Sequence, residues 1–95
     1  MFNNKSISVQ AFGLINATIE GIQPTIDVSP EEVDGMKRKI ANILGSIRHR
    51  AEVSPGNYVP DRELAKTFKL EADITYDIIL KSELRSLAIL IEGLC

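Results

Sequence analysis

The stretch Val28-Ser29-Pro30-Glu31-Glu32-Val33 constrains this chain more than any other, because it fixes where a long helix must begin. Ser29 can accept a hydrogen bond from first-turn amides, and Pro30 occupies the first helical position, where its missing N–H costs nothing. Glu32, three residues after Ser29, completes a capping box, and Val28 and Val33 stand at the hydrophobic-staple positions. Both glutamates sit where the helix dipole favours negative charge. Val33, Met36, Ile40, Ile43 and Ile47 then recur at steps of three and four, with Leu44 widening the stripe. Arg48, His49 and Arg50 close the last turn, and Ser54-Pro55-Gly56-Asn57 stops it. A helix over 30–52 takes up about a quarter of a 95-residue chain, so its apolar stripe must be covered by further helices.

The flanking segments supply them. Ile7, Ala11, Ile15, Thr18 and Ile22 share one helical face, predicting a helix over 6–20 with Gly21 as a left-handed cap. The alternation Ile7/Val9/Ala11 makes a short strand the competitor over 6–11. Downstream, Asp61 is placed to cap a helix carrying Leu64 and Phe68. The last stretch is the most strongly patterned: Tyr76, Leu80, Leu84, Leu87, Ile91 and Leu94 follow one seam, broadened by Ile79, Ala88 and Leu90. Its phase breaks between residues 70 and 76, where Asp73 is the expected cap. The expected architecture is therefore all-α, a single domain over 1–95. It is a compact bundle of three helices at 6–20, 30–52 and 61–93, or four if the last breaks near residue 72.

Chemistry is scarce. The chain has one cysteine, Cys95, and one histidine, His49, which excludes an intrachain disulfide and a Cys/His metal cluster. His49 is flanked by two arginines at a helix end, a position that accounts for it without catalysis. Asp73 and Asp77, one turn apart and without a histidine or cysteine partner, make a weak metal site at best. The six glycines form no phosphate-cradling loop. No catalytic residue, metal ligand, cofactor or small-molecule substrate is expected, and the chain is read as a non-enzyme. The N-terminal stretch carries Lys5, Gln10, Asn16 and Glu20 and has no long apolar run before a cleavage signature. No stretch approaches the ~18 apolar residues of a membrane span. The expected setting is cytoplasmic.

Two binding readings remain. An ordinary apolar fraction of 44 % is concentrated after residue 78, where Leu84-Arg85-Ser86-Leu87-Ala88-Ile89-Leu90-Ile91 is almost continuously aliphatic. Ile89 points away from the Leu84/Leu87/Ile91 seam, so something beyond a three-helix core is expected to cover it. The first reading is a small regulatory adaptor that binds another protein or itself, as a homodimer through Leu80, Leu84, Leu87, Ile91 and Leu94. Gly35 and Gly45, each costing about 1 kcal/mol relative to alanine inside a helix, suggest a close helix–helix approach.

The alternative is a DNA-binding regulator. Residues Asp61–Lys81 have the outline of a helix-turn-helix with its turn near Lys69-Leu70, but Lys69 replaces the usual turn glycine and one residue too many follows Leu70. The would-be recognition segment also bears three carboxylates and no base, which phosphates repel. Lys37, Arg38, Arg48 and Arg50 make the better patch for an anionic partner. With a net charge of −2 and no family-specific motif, nucleic acid is the weaker of the two readings.

Overall fold

A computed structural model describes residues 6–95, and those residues contain four helices and no strand. They are α1 (Val9–Gly21), α2 (Pro30–Val53), α3 (Pro60–Ile74) and α4 (Ile78–Glu92).

Helix α2 starts as its sequence dictates. The Ser29 Oγ accepts from the Glu32 amide at 3.1 Å and the Glu32 carboxylate accepts from the Ser29 amide at 3.2 Å. Both staple valines are buried. Upstream, α1 begins one turn later than expected, with Ser8 as its cap accepting from the Ala11 amide. Gly21 does not take a left-handed conformation; it is the last helical residue, and Ile22 leaves in an extended one. Pro24 restricts Gln23 to an extended conformation, so the connector continues in the direction in which Ile22 leaves the helix. A tight turn follows, in which Thr25 and Val28 exchange backbone hydrogen bonds and the Thr25 hydroxyl accepts from the Asp27 and Val28 amides. That turn buries Val28 and delivers the chain to the capping box.

The 61–93 segment is two helices, and the break falls at 75–77 rather than near 72. Asp77, not Asp73, is the cap: its Oδ1 accepts from the Ile79 amide at 3.0 Å and the Leu80 amide at 3.1 Å. Ala72 decides between the two aspartates. It extends the buried Leu64–Phe68 stripe by another turn, so α3 must continue past residue 72, leaving Asp73 exposed within it. Tyr76, the expected first member of the C-terminal seam, sits in the connector and is 99 % exposed. Asp61 likewise is not a cap. Pro60 takes the first helical position, with Val59 before it, and the Asp61 carboxylate instead accepts from the Ser8 amide at 3.0 Å. This bond ties the start of α1 to the start of α3 across 53 residues of sequence.

Each helix runs antiparallel to its sequence neighbours, and α4 returns alongside α1, closing an up-down-up-down bundle. The α3–α4 pair is the most closely packed, with Ala65, Ala72 and Ala88 buried. The core is wholly apolar, centred on Ile15, Ile40, Ile47, Leu64, Phe68, Leu84, Leu87 and Ile91, and among the described residues it holds no buried polar or charged side chain. The 24 residues of α2 outrun the other three helices, and the molecule measures 52 × 21 × 21 Å. Among the described residues no helix is long and apolar enough to cross a membrane.

Candidate interaction surface

Helix α4 has two different sides. Leu80, Leu84, Leu87 and Ile91, the seam expected to meet a partner, face inward and are sealed in the chain's own core. The reason lies in α3: it is longer than its Leu64/Phe68 pattern suggests, and with α1 and α2 it encloses the whole seam. Only Leu94, just past the helix end, keeps substantial exposure at 44 %. The apolar residues that the fold leaves uncovered are the others. Ile78 is 80 % exposed, Ile89 65 %, Leu90 51 % and Ile79 42 %. A single aliphatic on a surface needs no explanation, but five within seventeen residues, on a helix whose inner face is complete, are surplus to this core.

These residues divide into two groups, with Ile78 sharing a depression with Ile89 and Arg85. On a 3.6-residue helix Ile79 and Leu90 project to the flank opposite Ala88 and Arg85, away from α3 and on the side where α4 borders α1, and Leu94 follows just past the helix end. There Leu94 shares a depression with Val9 and Val59, which sequence reasoning missed and which are exposed at the end of the bundle where α1 begins and α4 ends. Ile89 lies toward α3, at the edge of a groove of about 590 Å³ between α3 and α4. Ala65 and Ala88 line it with Ile89, and Arg62, Lys66, Lys69 and Arg85 contribute four cations.

The anticipated cationic patch on α2 is divided. Arg48 turns toward α1, its guanidinium 5.5 Å from the Phe12 ring centroid, within range of a cation–π contact. Arg50 lines a depression against α3, beside Lys39, whose Nζ is 3.1 Å from Glu71 Oε1. Arg38 is exposed and Lys37 half-buried. The four basic residues therefore serve different sides of α2 instead of forming one face. The exposed glycines Gly35 and Gly45 make no close approach either: a Cβ added at either meets nothing within 4 Å. Lys69 and Leu70, the proposed turn of a helix-turn-helix, lie inside α3, and α3 and α4 run side by side where that motif crosses its helices steeply.

His49 is exposed, and among the described residues no group of three or more His, Cys, Asp or Glu is placed to hold a metal ion. Cys95 is exposed, its thiol pointing at the Ile91 carbonyl at 3.5 Å. Tyr58 has a buried hydroxyl without a hydrogen-bond partner. Desolvation, aided by Glu63 and opposed by Arg50, raises its pKa above the usual 10.0. No protein-family model, curated protein or solved structure matches this chain.

Proposed function

We propose that the chain is a non-catalytic protein–protein interaction module, a small regulatory adaptor that self-associates through the α1-facing flank of α4. The observation carrying this reading is the contrast within α4 itself, with its inner seam sealed and Ile79, Leu90 and Leu94 each about half exposed. A symmetric dimer is isologous, so a surface used for it must complement itself. Two copies of α4 packed antiparallel meet that condition. Ile79 of one copy opposes Leu90 of the other, and Glu83 opposes Ser86, a pair able to hydrogen-bond. Leu94 and the exposed Val9 extend the apolar contact beyond the helix, which at 15 residues is only about 22 Å long. The extension matters because stable interfaces bury about 800 Å² per partner, more than one short helix face offers.

Light scattering across a concentration series tests the proposal. The expected species is twice the 10.5 kDa chain mass at micromolar concentration, with Leu90→Asp returning it to 10.5 kDa while far-UV circular dichroism stays unchanged. A wild-type chain that remains a monomer at the highest soluble concentration contradicts self-association.

A further inference from the structure

From the groove on the other flank of α4, we infer that α3 and α4 form a docking site for an acidic amphipathic helix of a second protein. The inference rests on the reading of the chain as an interaction module, but uses a surface the self-association contact leaves open.

Charge and shape carry it together. Arg62, Lys66 and Lys69 recur at steps of four and three along one rim of the groove, and Arg85 projects from the α4 rim. None of the four is ion-paired; among the described residues the one salt bridge is Lys39–Glu71. Two carboxylates, Asp73 and Glu92, also line the groove, one near each end, so the cations outnumber them between those ends. Such a stripe runs against the net charge of −2 of the whole chain. Ala65 and Ala88 are buried in the floor between the rims, where their small side chains let another helix approach, and the exposed Ile89 stands at the α4 edge. From Arg62 to Asp73 the groove follows about 16 Å of α3, the length of three turns of an incoming helix.

An amphipathic helix satisfies every part of this surface. Its apolar ridge covers Ile89 and the alanines, and glutamates or aspartates flanking that ridge reach the cations on either side. A phosphate backbone would satisfy the cations and leave that apolar floor facing charge. A second copy of this groove would set Arg62, Lys66 and Lys69 against their own kind. Chemistry thus selects an acidic helix from another protein.

The test is fluorescence anisotropy with a labelled amphipathic peptide of about five turns, bearing a leucine ridge flanked by glutamates, against the same peptide with lysines in their place. Binding by the glutamate peptide is expected, weakening as salt rises. The double variant Lys66→Glu/Lys69→Glu, at two exposed positions, should weaken it by about tenfold or more, whereas Lys37→Glu/Arg38→Glu on α2 should not. The monomeric Leu90→Asp chain should bind as the wild type does, which separates this site from self-association. Equal binding of both peptides, no binding of the glutamate peptide, or an equal loss from the α2 variant overturns the proposal. So does displacement of the bound peptide by a short DNA duplex or by anionic vesicles. Failure of the peptide with the dimer intact removes the groove alone, and a monomeric wild type that binds the peptide removes the dimer alone.

Discussion

Leu87 and Leu90 are the same residue type, three positions apart on one helix, and the structure assigns them opposite duties. Leu87 is wholly buried against the other helices, while Leu90 is 51 % exposed. Truncating Leu87 to alanine removes a fully packed side chain and leaves a cavity, which costs about 3 kcal/mol. In a domain of this size each kcal/mol moves the melting temperature by about 4–8 °C, so Leu87→Ala should melt about 12–24 °C lower. Leu90→Ala forfeits only half of a burial worth about 1.5–3 kcal/mol when complete, so its intrinsic loss is about 1 kcal/mol. That corresponds to no more than about 8 °C. If the wild type is dimeric, Leu90→Ala carries an additional loss that grows with protein concentration, because association stabilises by mass action. The Leu87→Ala deficit should persist unchanged at the lowest concentration. Thermal melts followed by circular dichroism at two concentrations distinguish the two. Equal losses for both variants at low concentration would refute the two-sided account of α4, as would a Leu87→Ala deficit that vanishes on dilution.

Four further substitutions probe the scaffold. Asp77→Ala should cost about 1 kcal/mol by removing the cap of α4, whereas Asp73→Ala should leave stability unchanged, and thermal melts reversing that order would reassign the cap. Gly45→Ala should stabilise by about 1 kcal/mol, since the added methyl meets open space inside a helix; loss of the dimer in light scattering would instead make Gly45 a contact residue. Tyr58→Phe removes an unpartnered buried hydroxyl and should be neutral or stabilising by up to about 1 kcal/mol. The folded state holds the Tyr58 proton more tightly than the unfolded chain, so wild-type stability should fall as pH rises above 10.0. Denaturant melts of the phenylalanine variant should lack that component.

The fold was legible wherever a local signal was complete. The capping box and the long stripe of α2 specified that helix to within a residue of its end, and the four-helix alternative for the C-terminal half was the one realised. Boundaries failed where two residues could play one role. Asp73 was read as the cap where Asp77 serves, and the deciding residue, Ala72, carries too little apolar weight to register in a pattern of leucines and isoleucines. Asp61 was read as a local cap because its true partner, the Ser8 amide, is remote in sequence. The expected partner seam proved to be core for a related reason. Periodicity finds the strongest apolar stripe on a helix, and in a folded monomer that stripe is the one its own neighbours claim first. The signal pointing outward was weaker and already visible in Ile89, which stands off the seam. Val9 and Val59 gave no such signal, since only the meeting of three helix ends brings them near Leu94.

Isotope-filtered NMR on a mixture of labelled and unlabelled chains tests the self-association surface most directly, because it detects only contacts between molecules. Intermolecular cross-peaks should arise from the methyl groups of Ile79, Leu90 and Leu94, and none from Leu80, Leu84 or Leu87. Cross-peaks from the inner three, or a complete absence of intermolecular signal in concentrated samples, would contradict it.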